Sequence, residues 1–109
     1  MEFTHVKLEI FIPEENVQAL LDVISAAGAG RIGNYDHCAS VTPVLGYWRP
    51  LEGAHPYDGE IGKISEGHEC KVEVNCPAAI ISNVIREIRQ VHPYEEPLIN
   101  IVPLLNEPS

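Results

Sequence analysis

The apolar positions change period several times along the chain, and each change marks an element. Val6, Leu8, Ile10 and Ile12 alternate with Lys7, Glu9 and Phe11, the period of a strand with one face in a core. Pro13 ends that strand and suits the first position of a helix, where a missing N–H costs nothing. Glu14 and Glu15 then fall in the turn where the helix dipole favours anions. Val17, Leu20, Leu21, Ile24 and Ala27 recur at helical spacing as an amphipathic stripe, which Gly28 and Gly30 stop.

The second half repeats that order. Cys70, Val72, Val74 and Cys76 alternate with Lys71, Glu73 and Asn75, which predicts a strand. Pro77 opens a helix whose stripe is Ile80, Ile81, Val84, Ile85, Ile88 and Val91. His92-Pro93 closes it, because a residue before proline is pushed out of the helical region. Leu98 to Val102 reads as a last strand, too apolar for an edge exposed on both faces.

Between the halves, Cys38–Val41 and Leu45–Trp48 form either one bent strand or a hairpin interrupted at Pro43. Residues 51–62 carry three glycines and a proline in twelve positions, a loop long enough to suggest a function. The order is β-α-β-β-α-β. Two such units with both helices on one face of an antiparallel sheet make a ferredoxin-like α+β sandwich. One domain over residues 1–104 and a loose tail over 105–109 complete the expectation.

Composition adds limits. The chain has 109 residues, with 7 Lys plus Arg against 16 Asp plus Glu, a formal net charge of −9. Such a surface repels phosphate backbones and anionic leaflets, which argues against nucleic-acid and membrane partners. No apolar run approaches the roughly 20 residues that span a bilayer, and Met1 to His5 lacks the character of a signal peptide. Cys38, Cys70 and Cys76 are too few for a disulfide framework, which suits a reduced, cytoplasmic protein.

Several motifs carry candidate chemistry. Gly28-x-Gly30-x-x-Gly33 matches the dinucleotide fingerprint, but it follows a helix and leads into a strand, the reverse of what a pyrophosphate site needs. His92-Pro-Tyr-Glu-Glu-Pro97 puts an imidazole and two carboxylates on one turn, a donor set that suits zinc or copper. The plain alternative is a rigid turn whose His92 caps the helix through its dipole. His37 and Cys38 point to opposite faces if their strand is regular, whereas His68 and Cys70 share one. Cys76, next to Pro77, falls at a helix N-terminus that favours thiolate. Tyr47, Trp48 and Tyr57 flank the glycine-rich loop and suit a subunit interface better than a stacked ligand. No serine or cysteine sits with a histidine on a catalytic elbow.

With these segments in place, Gly28–Cys38, Arg49–Gly53 and His92–Pro97 resemble the small domain inserted into NGG1-interacting-factor-3-like proteins of the YqfO type. That domain is related to CutA and the PII signalling proteins. The resemblance runs from about Val6 to Leu104 and implies a PII/CutA-like fold that assembles through its sheets, a homotrimer being favoured. It points to His92, Tyr94, Glu95 and Glu96 as the matching turn. It also implies that Gly53–Gly62, with His55 and Gly59, lies where PII proteins keep a partner-binding loop. The two-metal site of the full-length relatives lies in a larger flanking domain that this sequence lacks, so the expectation is a stand-alone, non-enzymatic form.

The expected function is therefore an oligomeric binding or regulatory protein. It takes a divalent cation, zinc or copper, or a small ligand near the His92–Pro97 turn. The candidate cleft joins His92, Tyr94, Glu95 and Glu96 to Tyr35, His37 and Cys38, within or between subunits. The alternative is an interaction module that docks a protein partner through residues 53–62, including His55, Gly59 and Gly62.

Overall fold

A computed structural model describes residues 3–105; the start of the chain and most of the expected tail, residues 106–109, lie outside the described residues. The elements are β1 (His5–Ile12), α1 (Val17–Ala26), β2 (Ser40–Trp48), β3 (Ser65–Pro77), α2 (Ile81–Val91) and β4 (Ile99–Pro103). Each helix is entered through a single 3-10 turn, Glu14–Asn16 and Ala78–Ile80, directly after the proline that closes the preceding strand. The strands form one antiparallel sheet in the order β2-β3-β1-β4. This is the expected ferredoxin-like sandwich.

Alternation along the two central strands builds the core. Leu8, Ile10 and Ile12 of β1 lie on the same face as Cys70, Val72, Val74 and Cys76 of β3. Leu20 and Ile24 of α1 and Val84 and Ile88 of α2 close over them. Each such fully buried aliphatic side chain contributes about 1.5–3 kcal/mol. The opposite face carries Lys7, Glu9, Lys71 and Glu73. Lys7 Nζ donates to Glu73 Oε1 at 2.8 Å and lies 3.4 Å from Glu9 Oε2.

Three boundaries differ from the sequence reading. β2 is a single strand that runs straight through Pro43, because its position at the sheet edge leaves one side of its backbone unpaired and a missing N–H is tolerated there. β3 begins at Ser65 rather than Cys70, so β2 and β3 form a long arm. On this arm the helix-side residues Val41, Leu45 and Tyr47 are exposed. β4 is an edge strand with Ile101 half-exposed, since only β1 pairs with it.

The glycine motif serves a helix end. Gly28 N–H donates to Ser25 C=O and Ala29 N–H to Ile24 C=O, the paired bonds of a Schellman stop, with Gly28 at φ +102°. Gly30 follows at φ +74°, donating to Asn75 C=O at 2.8 Å and accepting from Cys38 N–H at 2.9 Å. A Cβ on Gly30 would meet the Cys38 carbonyl oxygen at 3.0 Å, whereas one on Gly33 would meet nothing within 4 Å. Gly33 also has a positive φ, +57°. Gly33→Ala therefore costs about 1–2 kcal/mol from left-handed backbone strain alone, and Gly30→Ala costs more, as read from urea unfolding midpoints. Equal losses at the two positions would refute the close-approach account.

Candidate functional site

The chain places the predicted site residues at two ends of the sheet. Gly30 ties Cys38 to Asn75, which pairs with Lys7 near the start of β1. His92 instead meets Phe11, four residues further along β1, a rise of roughly 13 Å. The expected cleft joining the His92 turn to Tyr35, His37 and Cys38 is therefore not formed within one chain. Tyr35 stands 74% exposed on a small ribbon closed by paired Ile32 and Tyr35 hydrogen bonds.

His92 is buried, and both of its nitrogens are occupied. Tyr94 N–H donates to Nδ1 at 3.2 Å, so the ring proton sits on Nε2, which donates to Phe11 C=O at 2.7 Å. Burial pushes the imidazole below its ordinary value of 6.5. This neutral tautomer pins the end of α2 to the end of β1. Both ring nitrogens are engaged by backbone partners, and the turn is held without the charged dipole cap expected from sequence.

The His37 cluster differs in kind. His37 adopts φ +56°. Its Nδ1 lies 2.9 Å from Asp36 Oδ1 and 3.1 Å from Ser25 Oγ, and Nε2 lies 3.5 Å from Asp22 Oδ1. The hydrogen bond to Asp36, then Asp22, raises its pKa above 6.5. No spacing in the sequence pairs Ser25 with a histidine; the fold brings them together. Nδ1 faces both Asp36 and Ser25, and a ring proton donated there to Asp36 leaves no lone pair on that nitrogen to accept from the hydroxyl. Among the described residues no three His, Cys, Asp or Glu side chains converge in a way that could hold a metal ion.

The thiols are equally quiet. Cys76 is buried in β3 instead of opening a helix, and burial raises its pKa, so the expected thiolate is disfavoured. Cys70 is buried and raised for the same reason, and His68 in the same row of β3 stays exposed beyond the helices.

What the fold does bring together is the His92–Pro97 turn and the 51–62 loop. His55 N–H donates to Glu95 Oε2 at 2.6 Å. Tyr94 Oη donates to Glu69 Oε2 at 2.9 Å, and burial followed by that bond drives the phenol pKa far upward. The Tyr57 and Tyr94 ring centroids lie 5.9 Å apart with planes tilted by 50°. Trp48 Nε1–H donates to Asp58 C=O at 2.9 Å, and Gly62 N–H donates to Pro50 C=O at 2.7 Å, which closes the loop on itself. Gly53, Gly59 and Gly62 all take positive φ along it.

Together these groups enclose a cleft of about 270 Å³, lined mainly by Trp48, Pro50, Pro56, Tyr57 and Tyr94, with Arg49, Asp58, Glu95 and Glu96 as its charged members. Trp48 and Tyr57 thus line an intrachain cleft, while Tyr47 faces away on the exposed side of the arm. Arg49 and Glu69 were missed from sequence. The alternation that carries Cys70 into the core sets Glu69 on the other face, but only the folded turn supplies its Tyr94 partner.

No family model matches the chain. A Bacillus subtilis protein named GTP cyclohydrolase 1 type 2 homolog is 36% identical over 94% of this chain and 28% of its own length. The crystal structure of a Bacillus cereus protein related to NIF3 superposes with a TM-score of 0.85 at 30% identity, over 97% of this chain and 27% of that one. The periplasmic divalent cation tolerance protein CutA from Archaeoglobus fulgidus shares the fold at a TM-score of 0.72 and 19% identity, over 94% of this chain and 86% of that one. The chain spans a little over a quarter of the length of the curated relatives it matches.

The two histidines titrate in opposite directions. Because the folded state keeps His92 neutral, the unfolded chain binds the extra proton between the lowered folded value and 6.5. Its contribution to stability is thus present above 6.5 and is lost as pH falls through the folded value. Resonances of His92 should titrate below 6.5 and those of His37 above it in NMR pH titrations. His92→Ala strands Tyr94 N–H and Phe11 C=O and costs about 2–3 kcal/mol at pH 7 in urea unfolding. His37→Ala, on the surface, costs no more than about 0.5 kcal/mol.

Proposed function

We infer that this homologue of a domain-sized part of NIF3-related proteins is a non-catalytic, oligomeric binding domain. Its ligand occupies the cleft between the 51–62 loop and the His92–Pro97 turn. The observation that carries this reading is the His55–Glu95 hydrogen bond, which holds an otherwise exposed loop against the turn and forms a lined cavity there. Apolar walls with a few polar groups at the rim are the usual make-up of a small-molecule site. A ligand that entered would touch both segments and so bias how they are joined, which suits a regulatory role.

A non-catalytic role is supported by the state of the reactive groups. The buried thiols are raised, His92 is neutral and doubly hydrogen-bonded, and His37 Nδ1 is shared between Asp36 and Ser25. Free Cys38, Cys70 and Cys76 suit a reducing, cytoplasmic setting. No helix among the described residues is long and apolar enough to cross a membrane.

Homo-oligomer formation, with a trimer favoured by the resemblance to CutA and PII proteins, is supported by the arm. Val41, Leu45, Tyr47 and Ile64 are exposed there beside the free edge of β2. Large exposed apolar groups beside a free strand edge call for cover. The distal loop also exposes Ile61, which keeps partner docking through residues 53–62 as the second reading.

Two measurements test this. Native mass spectrometry should report a homo-oligomer, with no tightly bound zinc or copper that depends on His92; a monomer at micromolar concentration would refute the assembly. Titration of a fragment library into ¹⁵N-labelled protein should move amide resonances of His55, Tyr57 and Tyr94–Glu96 together. Shifts confined to the Gly30–Cys38 end would overturn the choice of cleft.

A further inference from the structure

We propose that the cleft takes a small organic cation, an alkylated ammonium group, rather than a metal ion. This rests on the reading of the cleft as a ligand site and adds the chemical class of its occupant. A small, strongly hydrated metal ion needs several donors converging on one point, and the described residues offer no such group. An alkylated ammonium is large and weakly hydrated and needs no chelating donors. It is held by aromatic faces and by carboxylates at a distance.

The cleft supplies both. Trp48, Tyr57 and Tyr94 line it, and the two tyrosine rings, tilted by 50°, do not stack flat on each other. Tyr94 gives its hydroxyl proton's hydrogen bond to the Glu69 carboxylate, which pushes electron density into the ring and strengthens its negative face. Trp48 uses its N–H on Asp58 C=O, leaving the indole faces as its means of contact. Three carboxylates, Asp58, Glu95 and Glu96, stand against one guanidinium, Arg49, so the charge in the cleft favours a cation. Only Glu95 among the three is engaged by the loop, through His55 N–H. A volume of about 270 Å³ lies at the small end of ligand pockets and fits a compact head group.

The chain contains one tryptophan, and it lines this cleft, so its emission is a built-in reporter. The test titrates intact protein with choline, its neutral isostere 3,3-dimethylbutanol and the anion 3,3-dimethylbutyrate. Choline should change Trp48 emission saturably and bind at least roughly tenfold more tightly than the alcohol, the scale of a partly desolvated cation–π contact. Tyr57→Leu and Glu96→Gln, both at exposed positions that leave the core intact, should each weaken choline several-fold. Equal affinity for choline and the alcohol, lost in Tyr57→Leu, would overturn the cation class while leaving the cleft as a ligand site. Tightest binding of the anion would overturn it in favour of Arg49. Choline binding unaffected by either variant would place the cation elsewhere and overturn the proposal. No saturable change with any probe would overturn the cation proposal, and with no fragment shifts around the turn the ligand-site reading would fall as well.

Discussion

β1 is hydrogen-bonded on both sides, to β3 from His5↔Pro77 through Ile12↔Cys70 and to β4 from Val6↔Pro103 to Ile10↔Ile99. Every other element is placed by that double pairing. It sets one row of β1 and β3 side chains under the helices and the opposite row on the Lys7–Glu73 face. A slip of one residue would exchange the two rows and put charged side chains into the core. The same pairing brings the two ends of the described chain together, because Leu104 N–H donates to His5 C=O and Ala78 N–H to Thr4 C=O. A domain whose ends leave side by side can sit within a longer chain without disturbing its own strands. That geometry accords with relatives of which this chain matches a little over a quarter.

At the far end of β1 the same pairing positions the cleft. The carbonyl of Phe11 accepts the hydrogen bond of His92 Nε2–H, and Nδ1 of that ring accepts from the Tyr94 N–H. Tyr94 is thereby aimed at Glu69 on β3, and the next residue, Glu95, is set to capture the loop at His55. A neutral, buried histidine thus works as a two-way backbone clamp. Its polar atoms are spent on holding the turn. The turn lends its chemistry to the cleft through an aromatic face and carboxylates instead.

The long β2–β3 arm has a separate consequence. It extends past the helices, so its helix-side residues have no cover, and it carries the 51–62 loop out to the same end as the His92 turn. The arm therefore supplies an unpartnered apolar surface on one side and, through Trp48, a wall of the cleft on the other. The exposed apolar surface and the cleft thus lie on opposite faces of the same strands.

Period-two and helical spacing, with Pro13 and Pro77 at the helix entries and Gly28 at the first helix end, were enough to determine β1, α1, β3, α2 and β4, their order and the ferredoxin-like sandwich, with residues 38–48 left as one bent strand or a hairpin. These signals are local, because each reports which face of a single segment meets water. The sequence also ruled out a dinucleotide site, since the glycine motif's neighbours had the wrong order. Tertiary structure alone decided that β2 passes unbroken through an edge proline, that Cys76 is buried and that His37 is remote from His92. It also decided that Trp48, Tyr57, Tyr94 and Glu69 meet. Those facts depend on contacts between residues up to 81 positions apart in sequence, and on the direction in which each ring nitrogen and hydroxyl finds a partner. Residue type fixes what a side chain can bond to, but only the closed sheet fixes which partner is within reach.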